Sequence, residues 1–248
     1  MSDRLSKEWF LSIRYNERAP LNIICFPCGG GSASSFWSWK DLPVDANIWA
    51  LKLPGRESRI AETPITRSNE LVSHLVNVLP STFPTPFVFY GHSMGAGIAF
   101  ETMLELHKRK RDLPDLFIAC GRESPQSAYR FSVENMDDHS LIEYMQTLGG
   151  IPQSLPSNKA FMGQYIPKIR ADYLLNASIP TREAVSLPVL IHLMNGKNDP
   201  LVQLEKLVDW SCYTAYPLSS CYLPGGHFFM EECREEYLNE IADVLMHC

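Results

Sequence analysis

Six short apolar runs, most of them bounded by glycine, proline or polar residues, constrain the fold of this chain most strongly. The runs are continuously apolar rather than alternating, which is typical of strands that helices cover on both faces of a sheet. Segments with helical periodicity lie between and after them. The predicted strands are Leu21–Phe26, Asn47–Leu53, Phe87–Tyr90, Leu116–Cys120, Pro188–Met194 and Ser220–Leu223, and the predicted helices are Ser68–Leu79, Met94–Arg109 and Glu231–Met246. This alternation predicts an α/β fold with a mostly parallel, doubly wound sheet.

One stretch, from about Gln126 to Ser178, contains no strand pattern. Two apolar stripes with helical spacing occur there instead. Pro167 is expected to bend or interrupt the second helix. We predict a helical lid, residues 126–178, inserted into a single domain spanning residues 1–248; the alternative is a long crossover packed in the core. The stripes are Leu141, Tyr144, Met145 and Leu148, followed by Phe161, Tyr165, Ile169 and Tyr173.

Composition narrows the function classes. The 248 residues are consistent with one domain, and the net charge of −6 argues against nucleic-acid binding, which needs clustered basic residues. No apolar stretch reaches the length of a membrane span, and the N-terminal residues lack the apolar run of a signal peptide. The seven cysteines are dispersed and odd in number, which indicates free thiols in a reducing compartment. We therefore expect a cytoplasmic protein that binds neither nucleic acid nor membrane.

The segment Gly91–Gly95, with sequence Gly-His-Ser-Met-Gly, follows a predicted strand and opens a predicted helix. A serine in such a sharp turn is strained, and its hydroxyl projects above the sheet. Small residues two positions away on either side relieve the crowding. The start of a helix also favours a developing negative charge. Ser93 is therefore the candidate nucleophile.

A nucleophilic serine needs a base to accept its proton. Of the seven histidines, His227 follows the last predicted strand in a glycine-rich loop, from which an imidazole can reach Ser93. The others fall in helices, inside a strand, near the C-terminus or beside the nucleophile. We expect the backbone to point the side chain of His92, the neighbour of Ser93, elsewhere.

The base in turn needs a carboxylate that holds its imidazole. Asp199 directly follows the preceding predicted strand and so reaches the same edge of the sheet. Glu205 and Asp209 are weaker alternatives because both fall in a probable helix. The chain order Ser93, Asp199, His227 is the order that the α/β-hydrolase fold uses.

The first predicted strand ends in a glycine-rich turn, Pro27–Ser32. Such a turn exposes backbone N–H groups that can stabilise an acyl oxyanion. Gly29 is the favoured donor in the turn and Cys28 its rival, with the N–H of Met94 as the second donor.

Two other interpretations of this turn are not favoured. The glycines resemble a phosphate-binding loop, but no Lys-Ser/Thr follows at the required spacing. Cys25 and Cys28 form a C-x-x-C pair, but neither a helix start nor a second C-x-x-C accompanies it, as redox or zinc chemistry would need.

Five segments spread over nearly the whole chain occur in a characteristic order. They are Phe26–Ser32, Leu53–Glu57, Gly91–Gly95, Pro167–Asp172 and Gly225–Phe229. In this combination the chain resembles the type II thioesterases that serve polyketide and nonribosomal peptide synthases, and the related fatty-acid chain-releasing thioesterases. The Leu53–Glu57 motif and the sequence Arg-Ala-Asp at 170–172 are its most specific parts.

The resemblance implies an α/β-hydrolase fold, a Ser93–His227–Asp199 triad, and oxyanion donors at Gly29 and Met94, with no metal and no cofactor. Cys28 stands where the family often has histidine. The sequence Asn-Ala-Ser at 176–178 replaces a more typical acidic-aromatic stretch.

The resemblance also implies a reaction and a partner. The reaction is hydrolysis of acyl groups from the phosphopantetheine arm of an acyl or peptidyl carrier protein, with small acyl thioesters as further substrates. The basic run Lys108–Arg111 is a candidate docking site for an acidic carrier, or else it offsets the dipole at a helix C-terminus. Candidates for lining an acyl pocket, rather than packing lid on body, are Tyr144, Met145, Leu148, Phe161, Tyr165 and Ile169.

Three other functions remain open at this point. A carboxylesterase or lipase, or an acyltransferase, would use the same triad. A non-catalytic binding protein with this fold would be expected to lack a triad member, and none is missing.

Overall fold

The computed structural model describes residues 5–83, 86–128, 133, 136–151 and 159–246. Its strands form one sheet in the order β1-β3-β2-β4-β5-β6-β7. Every neighbouring pair is parallel except β1 and β3. The strands are β1 Phe10–Arg14, β2 Leu21–Phe26, β3 Ala46–Leu51, β4 Phe87–His92, β5 Leu116–Cys120, β6 Leu190–Gly196 and β7 Ser219–Leu223. The predicted mostly parallel α/β sheet is confirmed.

All six predicted strands are present, with ends that shift by up to two residues. The additional strand β1 pairs antiparallel at the edge of the sheet, and its residues are only partly buried. The helices are α1 Ser68–Val78, α2 Met94–Lys108, α3 Asp138–Thr147, α4 Lys159–Ala177, α5 Phe229–Glu232 and α6 Arg234–Met246, and 3-10 segments cover Ala33–Asp41, Glu57–Arg59 and Leu204–Tyr213. The predicted C-terminal helix is therefore two helices, of which the first begins two residues earlier than expected.

The two faces of the sheet bury separate apolar clusters. On one face Ile24 and Phe89 pack with residues of α1 and α2. On the other face their neighbours Ile23 and Val88 pack with residues of α6 and of the Ala33–Asp41 segment. Every residue of β2, β3, β4 and β5 is buried, which explains why these strands have continuously apolar sequences. Each fully buried Ile, Leu or Phe side chain contributes about 1.5–3 kcal/mol to this core.

Helices α3 and α4 lie between β5 and β6, in the stretch where the sequence shows no strand pattern. Their facing side chains form a third apolar cluster, separate from the two beside the sheet, that includes Leu141, Met145 and Ile169. Asp137 is the N-cap of α3, and its side chain accepts a hydrogen bond from the Ser140 amide at 2.8 Å. Pro167 lies inside α4 without interrupting it. Within the described ranges, no helix combines the length and the apolar character that crossing a bilayer requires.

Candidate active site

Ser93 occupies the junction between β4 and α2 in a conformation that non-glycine residues rarely adopt. Its φ of 55° and ψ of −115° cost on the order of 1–3 kcal/mol. The turn is held by a 2.8 Å hydrogen bond from the Ser93 amide to the Cys120 carbonyl. A Cβ added to Gly91 would lie 2.6 Å from the Cα of Ala96, so glycine is required there. The turn therefore stores strain at the residue that the sequence singles out as the nucleophile.

The three candidate triad residues meet at the carboxyl ends of β4, β6 and β7. The Nε2 atom of His227 lies 2.9 Å from Ser93 Oγ, and its Nδ1 atom lies 2.8 Å from Asp199 Oδ2. Because a carboxylate only accepts hydrogen bonds, Nδ1 carries the proton and Nε2 is left to accept the serine hydroxyl. Asp199 and His227 are only 7% and 3% exposed. The two other acids that the sequence offers lie in the Leu204–Tyr213 segment, whereas His227 pairs with Asp199.

The loops that carry Asp199 and His227 contact each other through their backbones. The amide of Asn198 donates to the Gly225 carbonyl at 2.9 Å. A Cβ on Gly196 would lie 2.6 Å from that carbonyl oxygen and closer still to that of Gly226. The second oxygen of Asp199 accepts the amide of Leu201 at 2.9 Å, which fixes the carboxylate. The orientation of the imidazole is therefore set by backbone packing as well as by the carboxylate.

His92 bonds to the loop of the candidate base rather than to Ser93, in line with the expectation that its side chain points elsewhere. Its Nε2–H donates to the carbonyl of His227 at 2.9 Å, and the two rings lie 4.9 Å apart. Burial, followed by the neighbouring His227, holds the pKa of His92 well below its ordinary value. A neutral His92 therefore supports the backbone of the candidate base. The sequence places His92 next to the nucleophile but gives no signal of this contact.

The glycine-rich turn after β2 lies beside Ser93. The amide of Gly31 donates to the Cys28 carbonyl at 3.0 Å, and Gly30 has a φ of 77°, which favours glycine. A cavity of about 20 Å³, with Cys28, Gly29, Ser93, Met94 and His227 in its walls, separates the turn from the serine. This volume is close to that of a single water-sized sphere. Among the backbone bonds that the described turns and loops make, none has the amide of Gly29 or Met94 as its donor.

The two cysteines at the end of β2 are not arranged for thiolate chemistry. Burial, followed by the Asp172 carboxylate, raises the pKa of Cys28 to about 12. Burial also raises the pKa of Cys25 well above its ordinary value. Both thiols therefore stay protonated at neutral pH, whereas disulfide exchange and metal binding use the thiolate.

Two larger cavities, each of about 330 Å³, flank the small one. The first, here the polar chamber, has Ser93, Arg122, Glu123, Asn176, Gln203 and His227 in its walls. The second, the aromatic chamber, lies beyond the glycine-rich turn and is lined by Phe36, Trp39, Tyr90, Tyr165, Phe228 and Tyr237 among others. The aromatic chamber and the small cavity share Cys28, Gly29 and Phe228.

Of the six residues predicted to line an acyl pocket, three line these cavities. Tyr144 lines the polar chamber, Leu148 the small cavity and Tyr165 the aromatic chamber. Met145 and Ile169 belong instead to the apolar cluster of α3 and α4. The side chain of Phe161 lies outside the described residues.

Arg122 is a part of the site that the sequence did not reveal. Its Nη1 atom donates to Asn176 Oδ1 at 2.9 Å and to the Ser93 carbonyl at 3.3 Å. A Cβ on Gly97 would lie 2.6 Å from the guanidinium carbon, so this glycine in α2 leaves room for Arg122. The departure from the family pattern at Asn176 thus places a side-chain amide beside the Arg122 cation near Ser93.

The basic run at residues 108–111 lies at the other end of α2 from Ser93. The fifteen residues of α2 rise about 22 Å at 1.5 Å per residue. Arg109 pairs with Glu105 at 2.8 Å. Arg111 donates to the carbonyls of Val76, Leu79 and Pro80 and so closes the C-terminal end of α1. These contacts favour a structural role for the run over a docking role.

A strained serine after a central strand, with a histidine and an aspartate on the loops of the last two strands, places the chain among the enzymes of α/β-hydrolase fold. A family model described as a thioesterase domain matches residues 21–245. The chain therefore belongs to the thioesterase family, and its predicted identity as an enzyme that hydrolyses thioesters is confirmed.

The relatives support the same assignment. The gramicidin S biosynthesis protein GrsT of Aneurinibacillus migulanus is 30% identical over 240 residues, which cover 96% of this chain and 94% of GrsT. The medium-chain S-acyl fatty acid synthase thioesterase of Homo sapiens is 30% identical over 242 residues, which cover 94% of this chain and 89% of the human enzyme. The structure of BorB, a type II thioesterase from the borrelidin biosynthetic cluster, superposes with a TM-score of 0.86 at 28% identity and covers 97% of this chain and 99% of BorB. The resemblance to type II thioesterases is confirmed.

Proposed function

We propose that this thioesterase removes acyl groups from the phosphopantetheine arm of acyl or peptidyl carrier proteins, with Ser93 as nucleophile. The observation that carries the proposal is the imidazole of His227, which bridges Ser93 Oγ at 2.9 Å and Asp199 Oδ2 at 2.8 Å. Relatives that serve gramicidin S and borrelidin biosynthesis support a carrier-bound substrate, because such synthases hold their intermediates as thioesters on carrier proteins.

The reaction follows from the geometry in two stages. Ser93 Oγ attacks the thioester carbonyl carbon while its proton moves to His227 Nε2, and Asp199 stabilises the imidazolium that forms. The C–S bond then breaks, and the carrier thiol leaves with the proton from His227. In the second stage water gives a proton to His227 and attacks the acyl-enzyme. The bond between the acyl carbon and Ser93 Oγ then breaks, Oγ takes the proton from His227, and the free acid leaves.

The small cavity suits the oxyanion of both stages. It has room for one oxygen atom and is walled by Gly29 and Met94, the two amides proposed as donors. Loss of a single donor of this kind costs about 10²–10³-fold in kcat. Cys28, the rival donor, has its carbonyl in the turn bond to Gly31. This favours Gly29, because its own N–H points the other way from that carbonyl in a trans peptide.

In this proposal the two chambers hold the two ends of the substrate. The polar side chains Arg122, Asn176 and Gln203 in the polar chamber suit the amide and hydroxyl groups of a pantetheine arm. The aromatic chamber suits an apolar acyl chain, which passes Phe228 to reach it. In this arrangement α3 and α4, within residues 126–178 of a single α/β domain, form the lid. Tyr144, Leu148 and Tyr165 contact substrate, whereas Met145 and Ile169 pack the lid. The cytoplasmic location expected from the free cysteines is part of the same proposal.

The test is intact-mass analysis of the acid-quenched enzyme after brief mixing with a panel of acyl-carrier thioesters. We expect a mass increase equal to the acyl group in the wild-type enzyme and none in Ser93→Ala. The panel includes carriers from fatty-acid, polyketide and nonribosomal peptide synthases, since the gramicidin S relative and the fatty-acid synthase relative are each 30% identical to the chain.

Two comparisons separate the alternatives. A carboxylesterase would cleave the oxygen-ester analogue of an acyl-pantetheine at least as fast as the thioester. An acyltransferase would give an ester or amide rather than free acid when alcohols or amines are present. Undiminished turnover by Ser93→Ala would contradict the proposal outright.

A further inference from the structure

Arg56 and Asp172 form a buried, two-pronged ion pair beside the glycine-rich turn. Arg56 Nη1 lies 2.7 Å from Asp172 Oδ2, and Nη2 lies 2.5 Å from Oδ1. The two residues are only 6% and 2% exposed. Paired hydrogen bonds between a guanidinium and a carboxylate fix the direction as well as the distance of both groups. The pair joins segments 116 residues apart in the chain.

Both partners also hold the turn itself. Asp172 Oδ2 accepts the amide of Gly30 at 2.8 Å, and Arg56 Nη1 donates to the carbonyl of Gly31 at 2.7 Å. The turn is closed inside these contacts by the bond from Gly31 to the Cys28 carbonyl at 3.0 Å. In a trans peptide the N–H lies opposite the carbonyl, so the N–H of Gly29 is directed out of the turn.

The residue after Arg56 secures the segment that follows the turn. Glu57 accepts the amides of Ala33 and Ser34 at 3.2 and 3.0 Å. It does so from a left-handed backbone conformation, with a φ of 51°, that a non-glycine residue adopts only at a cost. The Leu53–Glu57 motif thus contacts the oxyanion turn and its continuation.

Asp172 belongs to α4, so the turn depends on how this helix sits on the body. A second residue of α4, Tyr165, donates its hydroxyl to the carbonyl of Gly30 at 3.2 Å. Tyr165 and Asp172 are seven residues apart and therefore lie on one face of the helix. Three groups of the Gly30–Gly31 backbone are held by Arg56, Asp172 and Tyr165 together.

We propose that Arg56 and Asp172 are positioning residues for the oxyanion site. They hold the glycine-rich turn so that the Gly29 N–H faces Ser93, and they make this geometry depend on the docking of α4. The inference rests on the proposed function, because it concerns the oxyanion donor of that reaction. It gives a physical reason for the two most specific motifs of the sequence, which the triad leaves unexplained.

The test compares Arg56→Met, Asp172→Asn and the double variant Arg56→Met/Asp172→Asn with the wild-type enzyme on a small acyl-pantetheine thioester. The matched control is Arg59→Met. Arg59 is a buried arginine of the same segment, but its side chain pairs with Glu62 at 2.6 Å, lies over the Trp9 ring at 4.0 Å and donates to the Lys52 carbonyl at 3.0 Å rather than holding the glycine-rich turn. Melting temperatures are measured for all variants, and kinetics are measured well below the lowest of them.

We expect kcat to fall about 100-fold in each single variant, as when one oxyanion donor is lost, with KM within about threefold of wild type. The Ki of a trifluoromethyl ketone analogue, which forms a tetrahedral oxyanion on Ser93, should rise by the same factor as kcat/KM falls. The double variant should be no worse than the worse single variant, because the pair acts as one unit. Arg59→Met should leave kcat and Ki unchanged.

The inference is overturned if Arg56→Met and Asp172→Asn lower the melting temperature while kcat and the Ki of the ketone stay at wild-type values. The pair would then stabilise the fold only. If Arg56→Met does not fold, the kinetics of Asp172→Asn alone test the inference. This variant should fold, since Asn keeps the shape of the side chain and an acceptor for the Gly30 amide. Failure of the proposed function is distinct, because it is detected in the wild-type enzyme as absence of acyl-Ser93.

Discussion

Gly95 lies so close to the end of β2 that it has no room for a side chain. A Cβ at this position would come within 2.6 Å of the Phe26 carbonyl carbon and of the Pro27 oxygen, and closer still to the Phe26 oxygen. All three atoms belong to backbone and cannot rotate away. The turn that carries Ser93 and the glycine-rich turn are therefore packed backbone against backbone, and this contact brings Gly29 and Met94 to the same cavity.

Gly95→Ala should force these two turns apart. We expect kcat to fall by about 100-fold or more, because displacement of the turn removes a donor from the oxyanion cavity. The free energy of unfolding should also fall, by about 1–3 kcal/mol, as for overpacking. Steady-state kinetics and urea unfolding measure both effects.

Gly163→Ala is the matched control. Gly163 is an exposed residue of α4 with no atom within 4 Å of an added Cβ. Alanine there should leave kcat unchanged and raise the free energy of unfolding by about 0.5–1 kcal/mol, because glycine is a poor helix former. Equal kcat for the two alanine variants would disprove the role given to Gly95.

Asp199→Asn should lower kcat by up to ~10⁴-fold, because the imidazole loses the carboxylate that sets its tautomer. KM should change little. The comparison variant is Asp209→Asn, which alters an acid of the Leu204–Tyr213 segment and should retain nearly full activity. A larger loss of kcat in Asp209→Asn than in Asp199→Asn would instead make Asp209 the carboxylate of the triad.

Buried histidines should make the protein less stable in mild acid. Burial holds the pKa of His92 well below its ordinary value, with His227 adding to the effect, and burial also lowers the pKa of His192 despite the opposing Glu240. Both stay neutral in the folded protein, while in the unfolded chain they take up protons near pH 6.5.

The unfolded state thus binds more protons below this pH, and the free energy of unfolding falls as the pH falls. Each group contributes a slope of up to about 1.4 kcal/mol per pH unit. Urea unfolding between pH 7.5 and 5 measures the slope. His92→Gln keeps a donor for the His227 carbonyl but does not titrate, and it should show a smaller slope. An unchanged slope in this variant would mean that other groups cause the dependence.

Charge reversal at Lys108 and Lys110 should leave KM for carrier-bound substrates within about twofold of wild type. Their run lies about 22 Å along α2 from the nucleophile, at the far end of the helix. Arg111→Ala should lower the free energy of unfolding by about 1–3 kcal/mol, because the carbonyls at the end of α1 lose their donor. A large rise in KM for carrier substrates but not for small thioesters would instead restore the docking hypothesis.

The sequence predicted the residues whose position depends on topology. Ser93, Asp199 and His227 each follow a strand of a parallel sheet, and the carboxyl ends of such strands share one edge. It did not predict that Arg56 and Asp172 pair, because that contact depends on how α4 sits on the body. Strand β1 was missed because it lies at the edge of the sheet and does not have the continuously apolar sequence of the buried strands.

The contact of His92 shows a second limit of prediction from sequence. The rotamer of a side chain next to a strained serine depends on the loop of His227, which packs against it from 135 residues further along the chain. No sequence pattern near residue 92 predicts a contact with such a distant loop. Arg122 was missed for a similar reason, since its path depends on the space left by Gly97.

The hydrogen bond between Ser93 and His227 spans 134 residues and closes only when β7 has joined β6. During synthesis, the serine leaves the ribosome long before its partner does. A growing chain therefore lacks the candidate base until residue 227 has been made and β7 has paired, and a proteolytic cut that detaches β7 should abolish thioester hydrolysis.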